Sequence, residues 1–146
     1  MEKFKRSLGS FAVPLLSILL AFLIGGIIMT HGDDNGLILP PAVAPVQVVV
    51  IPVAQHKPGV LDKAAELLGT LQAAGIRAKA DTSDQSPGWK FNEWEMKGVS
   101  VRIELGPRDL EAGKILCARR DTLEKSEMAL SGAADGIRAL LQTVQK

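Results

Sequence analysis

The chain has 146 residues, enough for one domain of ordinary size with a short appendage, and this length excludes a large multidomain enzyme. Its 17 Lys and Arg against 16 Asp and Glu leave a formal net charge of +1, which excludes a strongly basic nucleic-acid-binding domain. A single cysteine, Cys117, excludes a disulfide scaffold and a cysteine-built zinc site, and a hydrophobic fraction of 47% argues against intrinsic disorder.

The first predicted element is a hydrophobic N-terminal helix over residues 1–30. Residues 7–30 contain no charged residue and no histidine, and residues 8–29 are long enough to span a bilayer as one helix. Basic residues precede this segment and acidic residues follow it, a bias that predicts a cytoplasmic N-terminus and an exported remainder. The alternative is a core helix of a larger soluble protein. A cleaved signal peptide is disfavoured because no small-x-small site follows Met29.

The next stretch leads from a linker into an α/β pattern. Residues 31–45 combine the turn sequence HGDDNG with the proline-rich LILPPAVAP, so we predict a linker there. Residues 46–53 (VQVVVIPV) form a nearly continuous β-branched run, typical of a strand covered on both faces in a parallel sheet. A helix is predicted from a cap at Asp62 to Ala74. Its apolar stripe would consist of Leu61, Ala64, Ala65, Leu68 and Leu71.

The rest of the chain continues this alternation of strands and helices. A strand at 76–81 completes a βαβ unit, whose crossover should be right-handed. The remaining elements in chain order are a loop at 82–88, a short helix at 90–98, a half-buried strand at 99–105, a turn or single helical turn at 108–113, a strand at 114–119 and an amphipathic helix at 133–144. Together these elements predict an α/β domain.

The sequence contains no phosphate loop, GxSxG, HExxH or CxxC motif. Cys117 lies in an apolar strand, where a buried and inert thiol is expected. His31, Asp33 and Asp34 are compatible with a metal or acid–base cluster, but the composition of GDDNG favours a simple turn. His56, in the turn HKPG, is expected to be a solvated loop residue.

Residues 84–109 concentrate both tryptophans, one phenylalanine and four basic residues. Aromatic side chains interleaved with Arg and Lys stack on and hydrogen-bond to unpaired RNA bases. A carboxylate such as Glu95 accepts hydrogen bonds from the Watson–Crick edge of guanine, and Arg102 and Arg108 can reach guanine O6 or N7, or a phosphate. The alternative, which composition alone favours, is that the aromatic side chains only pack a small core. These side chains are Trp89, Phe91 and Trp94.

These residues resemble prolyl-tRNA synthetase of the archaeal/eukaryotic-like type. The similarity covers about residues 23–146, and SPGWKFNEWEMKG with GPRDLE is its most specific part. HGDDNGL is similar to the end of the catalytic domain, and VQVVVIPV to the start of the anticodon-binding domain of class IIa synthetases. The resemblance implies an anticodon-binding domain over residues 46–146, with a mixed, mostly parallel sheet of about five strands flanked by helices.

The resemblance also implies a function in protein biosynthesis. The family charges tRNA with proline, using ATP and Mg²⁺, and this part of it recognises the two guanines in the anticodon stem-loop of proline tRNA. By resemblance, Phe91 stacks on a base, Glu95 and Asp109 accept hydrogen bonds, and Arg102 and Arg108 donate them. A cytoplasmic location and a homodimer are implied as well.

The sequence departs from the family in its first part. Phe22 stands where the family has an ATP-binding arginine, and SILLA replaces the conserved motif before it. The other ATP- and proline-binding motifs and the C-terminal zinc-binding extension are missing, so we expect no catalytic residue, metal or cofactor in this chain and no aminoacylation by it alone. Residues 1–22 resemble instead the start of an ABC-transporter permease. The alternative function is therefore a membrane-anchored α/β domain of unknown binding role, produced by a fused reading frame.

Overall fold

The chain consists of two units, Met1–Gly32 and Asp33–Lys146. The computed structural model describes the backbone of residues 2–146 and the side chains of residues 12–146. The first unit is dominated by helix α1 (Glu2–Thr30). The basic residues predicted to precede its apolar segment, and the first half of the permease-like residues 1–22, have side chains outside the described range.

The described part of α1 is apolar and exposed. Ala12–Thr30 has a mean hydropathy of 2.6, and each large apolar side chain from Val13 to Met29 is at least half exposed. At about 1.5 Å per residue, this segment is close in length to the hydrocarbon core of a bilayer. Among the described residues it is the one helix with the length and composition to cross a membrane, although core helices and signal sequences share these properties.

The second unit is built on a five-stranded mixed sheet with the order β4-β3-β5-β6-β7. Its strands are β3 (Val48–Pro52), β4 (Ala78–Ala80), β5 (Val101–Leu105), β6 (Lys114–Arg119) and β7 (Lys125–Ala129). Strand β3 pairs in parallel with both β4 and β5, whereas β5–β6 and β6–β7 are antiparallel. The predicted mixed sheet is therefore confirmed, and four of its five strands run in the same direction.

Helices cover both faces of this sheet. Helices α2 (Val60–Ala73) and α5 (Ala133–Gln145) pack on one face, and α3 (Pro87–Met96) packs on the other. The shorter elements are the paired strands β1 (Gly32–Asp33) and β2 (Gly36–Leu37), the helix α4 (Pro107–Glu111) and a 3₁₀ turn at Leu130–Gly132. The predicted α/β domain flanked by helices is thus confirmed.

The sheet separates two apolar clusters because neighbouring strand residues point to opposite faces. In β3, Val48 and Val50 contact the cluster under α2 and α5, while Val49 and Ile51 contact the cluster under α3. All of β3 is buried, as its β-branched run predicts. On this second face, α3 packs over β3.

The prediction for α2 was wrong in two details. The helix begins at Val60 after Gly59, and Asp62 lies in its first turn rather than at its cap. The buried residues are Val60, Ala64, Leu67 and Leu71, whereas Leu61 and Ala65 are exposed. The apolar residues of this helix extend around more than one face, so the position of the sheet decides which stripe is buried.

Two further segments differ from the expectations. Strand β7, with the sequence KSEMA, was not predicted, because an exposed edge strand of polar residues lacks an apolar alternation. Residues 33–45, which make up most of the predicted linker at 31–45, lie within the second unit. Ala44 is buried there, and Arg77 donates hydrogen bonds to the carbonyl oxygens of Pro41 and Ala44.

Candidate nucleic-acid interface

Helix α3 carries most of the aromatic residues of the candidate site and is firmly anchored. Ser86 caps its first turn by accepting a hydrogen bond from the Trp89 backbone N–H at 3.3 Å, so the helix starts earlier than the predicted residue 90. The buried Lys90 Nζ donates to the Asp81 carbonyl oxygen at 3.0 Å, and Trp94 Nε1 donates to Asp81 Oδ2 at 2.7 Å. These bonds connect α3 to the end of β4 and set its position over the sheet.

The three aromatic side chains are placed differently. Phe91 and Trp94 are half-buried and pack on Val49, Ile51 and Val99. Trp89 is 47% exposed. The packing role that composition favoured therefore describes Phe91 and Trp94, and Trp89 is the aromatic side chain of this helix that solvent reaches most freely. The base-stacking role of Phe91 stays a prediction.

Arg102 lies at the centre of an ion-pair cluster. Its guanidinium donates to Glu95 Oε1 at 2.7 Å and to Glu104 Oε1 at 3.0 Å, and its Cζ lies 4.2 Å from the centre of the Phe91 ring. Lys125 Nζ lies 3.0 Å from Glu104 Oε1 on the side of β7. Arg102 and Glu104 share a face because they are two residues apart in β5. We call these five residues the Arg102 cluster.

The structure brings three of the five predicted site residues together. Phe91, Glu95 and Arg102 are in contact, and the predicted acceptor Glu95 is paired with the predicted donor Arg102. The other two lie on α4, beyond the end of β5: Arg108 is exposed, and Asp109 Oδ2 accepts from the Gly106 N–H at 3.3 Å. Among residues 12–146, these two share no hydrogen bond or ion pair with the other three. The roles of all five in RNA binding stay predictions.

A cavity of about 210 Å³ adjoins the Arg102 cluster. It lies between the end of α3 and the turn that joins β6 to β7. Its walls mix apolar, cationic and acidic side chains: Val49, Trp94, Glu95, Val99, Arg102, Ala118, Arg119, Arg120, Leu123 and Lys125. Apolar walls with a few convergent polar or charged groups are typical of ligand-binding sites.

A second ion pair near this cavity was not predicted. Arg120 donates to both oxygens of Asp33, with distances of 2.6 Å to Oδ1 and 2.9 Å to Oδ2. The hydrogen bonds from Arg120 hold the pKa of Asp33 at about 2, below its usual 3.8, so the pair is intact above about pH 4. The two residues are 87 positions apart, and no local pattern links them. Lys125 was missed for a related reason, since β7 itself was not predicted.

The other candidate residues have structural roles. GDDNG forms the predicted turn, in which Asp33 Oδ1 accepts from the Asn35 backbone N–H at 2.9 Å. His56 is exposed in a turn, as predicted. Cys117 is buried in β6, and burial raises the pKa of its thiol to about 12, which agrees with the predicted inert thiol. Within the described residues, no group of three or more His, Cys, Asp or Glu side chains could hold a metal ion.

Comparisons with known proteins agree on one family. Residues 47–140 match the model of the anticodon binding domain. The chain is 59% identical over 124 residues to a proline–tRNA ligase of Lachnospira eligens and 58% identical over 123 residues to one of Acetoanaerobium sticklandii. It is 53% identical over 122 residues to proline–tRNA ligase 2 of Bacillus cereus. These matches cover 84–85% of this chain but only 25–26% of the relatives, so the chain spans about a quarter of their length.

Proposed function

Because this chain belongs to the anticodon-binding domain family, we propose that its second unit binds the anticodon stem-loop of a proline tRNA and selects its guanines. The observation that carries the proposal is the contact of Glu95 with Arg102 at the wall of a cavity. On the same basis, we propose that the chain corresponds to a fragment of a cytoplasmic proline–tRNA ligase and that it forms a homodimer.

Guanine is the base that this pair of side chains suits. Its Watson–Crick edge offers the N1 and N2 donors to a carboxylate, and its O6 and N7 accept from a guanidinium. In the free protein, Glu95 and Arg102 satisfy each other at 2.7 Å, so both groups are already held in place before RNA arrives. A bound guanine would replace the Glu95–Arg102 contact with two others, one from the base to the Glu95 carboxylate and one from the Arg102 guanidinium to the base. Arg108 and Asp109 on α4 are proposed to contact a neighbouring nucleotide.

The charge distribution supports recognition by a few placed side chains. The first 30 residues hold three basic residues and one acidic residue, so residues 31–146 carry a net charge of −1. A surface without a cationic surplus gains little from counterion release, the main source of non-specific RNA affinity. Affinity and selectivity should therefore depend on base contacts of the kind that Glu95 and Arg102 offer.

Synthesis of prolyl-tRNA needs groups that these residues do not supply. By the resemblance, Phe22 stands where the family has an ATP-binding arginine, and the described residues contain no carboxylate cluster able to hold Mg²⁺. We therefore derive no step through ATP or Mg²⁺ at the residues that the structure describes.

Binding of a proline anticodon stem-loop by the full chain in mild detergent tests the proposal. Replacement of either guanine by adenine is expected to weaken binding by ~1–3 kcal/mol, because each replacement removes the bonds of one base edge. Fluorescence anisotropy with labelled stem-loops measures the dissociation constants. A stem-loop with the same stem and an unrelated anticodon is the control, and equal weak binding to all the loops contradicts the proposal.

Membrane association through residues 8–29 is a second, separate proposal. The observation behind it is the exposed apolar segment Ala12–Thr30. The family match favours RNA binding over an anchored domain of unknown role, so the helix would only localise the chain. We expect the full chain to float with liposomes. The double variant Leu19→Arg/Leu20→Arg should float less, since each arginine at the centre of the helix costs ~2.5–3.5 kcal/mol on insertion. Equal flotation of the variant, or none by the original chain, contradicts this proposal.

A further inference from the structure

Arg120 is a buried arginine that joins two distant segments of the second unit. Only 2% of its side chain is exposed. Its Nη1 and Nη2 atoms donate to the Asp33 carboxylate, and its Nε atom donates to the Glu95 carbonyl oxygen at 3.0 Å. Its backbone N–H donates to the Ser100 carbonyl oxygen at 3.0 Å, which fixes the base of the side chain at the start of β5.

The contact with Glu95 falls at the C-terminal end of α3. Carbonyl oxygens in the last turn of a helix lack intrahelical partners and carry the negative end of the helix dipole. The Glu95 oxygen receives the Gly98 N–H at 3.0 Å and the Arg120 guanidinium. Because the guanidinium is a rigid planar fork held by both Asp33 oxygens, it can fix the last turn of α3 in one orientation.

The turn that carries Asp33 is itself pressed against the same helix end. Gly36 has φ +121°, and a Cβ atom at this position would lie 2.6 Å from the Met96 Cα atom. Backbone contact and an ion pair therefore hold the Asp33–Gly36 turn at one place, beside the residue that follows Glu95. The two observations are independent, since one concerns a backbone approach and the other a pair of charged side chains.

We propose that Arg120 is a positioning residue, which orients the Glu95 carboxylate toward Arg102 and toward the Watson–Crick edge of a bound guanine. The inference rests on the proposed function of Glu95 in guanine selection. Arg120 acts through the backbone of α3: it holds the Glu95 carbonyl oxygen, and the Glu95 side chain then reaches Arg102 Nη1 at 2.7 Å. Asp33 holds Arg120 in turn.

The test compares stem-loops that contain guanine with stem-loops that contain inosine at each of the two positions. Inosine lacks only the 2-amino group, so the ratio of the two dissociation constants reports the contact of this group with Glu95. We expect a ratio of about ten or more for the original chain at one position, since the bond to a carboxylate is charge-assisted. Arg120→Lys keeps the positive charge but loses the planar guanidinium that donates to Asp33 and Glu95 together. It should lower the ratio of the inosine to the guanine dissociation constant to about three or less, while the inosine loop binds almost as before.

The controls separate positioning from stability. Asp33→Asn should lower the ratio in the same direction, and it carries the test if Arg120→Lys does not fold. Asp34→Asn changes the same turn at an exposed residue and should leave the ratio unchanged. If Arg120 had only a structural role, its substitution would weaken binding of the guanine and inosine loops equally. An unchanged ratio in the variants would therefore overturn this inference and leave the proposed function standing. If the original chain binds the guanine and adenine stem-loops equally, the proposed function is overturned. If it binds guanine more tightly than adenine but binds guanine and inosine equally, only the roles given to Glu95 and Arg120 are overturned.

Discussion

Replacement of Arg102 by alanine is expected to weaken binding of the proline anticodon stem-loop by ~1–3 kcal/mol and to remove most of its selectivity for one guanine. The side chain is the proposed donor to guanine, and it also holds Glu95 at 2.7 Å. Without it, the proposed acceptor loses its partner as well. Anisotropy titrations with the guanine and adenine stem-loops measure both effects.

The same substitution should also destabilise the fold, and the two effects must be separated. Loss of Arg102 leaves the largely buried Glu104 with Lys125 as its remaining cationic partner at 3.0 Å. We expect a cost of about 1–3 kcal/mol in the free energy of unfolding, because a buried carboxylate loses hydrogen bonds. Binding is therefore measured under conditions in which circular dichroism shows that the variant is fully folded.

Two variants make the result specific. Arg138→Ala removes the same charge from α5, on the opposite face of the sheet, and should leave stem-loop binding unchanged. Arg102→Lys keeps the charge without the planar fork and should bind with intermediate affinity. If Arg138→Ala weakens binding as much as Arg102→Ala does, then net charge rather than the Arg102 cluster accounts for the affinity.

Replacement of Ile103 by alanine should lower the free energy of unfolding by about 2–5 kcal/mol, through lost burial and the cavity left behind. Ile103 is fully buried in the central strand β5, between β3 and β6, and it belongs to the cluster under α2 and α5. Domains of this size are stable by only ~5–15 kcal/mol, so the loss is a large share of the total. Urea unfolding followed by circular dichroism measures it.

Leu61→Ala is the matched control for the orientation of α2. The Leu61 side chain is 43% exposed, although the apolar pattern predicted it in the buried stripe. We expect a change within about 0.5 kcal/mol, as is usual for surface positions. A loss comparable to that of Ile103→Ala would show that α2 presents a different face to the sheet.

Strong local patterns predicted much of the fold correctly. The β-branched run at 46–53 predicted a strand covered on both faces, and the alternation at 99–105 predicted the strand that lies beside it. Gly98, with φ +73°, ends α3 where the sequence predicted. These predictions succeeded because strand alternation and the glycine requirement of a left-handed turn are properties of a few neighbouring residues.

The candidate site was predictable only in part. The motif at 86–98 indicated Phe91 and Glu95, and the strand that follows indicated Arg102; the structure places all three in contact. It also shows that Arg102 covers Phe91 and pairs with Glu95, which no sequence pattern reveals. Whether a residue identified by resemblance is free or already paired depends on its neighbours in space.

By itself, the sequence determined an α/β domain with a buried thiol, an apolar N-terminal segment and the family to which the domain belongs. Only the tertiary structure decided which face of α2 is buried, that β7 completes the sheet, and that Asp33 meets Arg120 across 87 positions. The physical reason is the range of the interactions. Backbone preference and apolar periodicity act between near neighbours in the chain, whereas a bidentate ion pair at the end of a helix forms only after the sheet has brought both residues together.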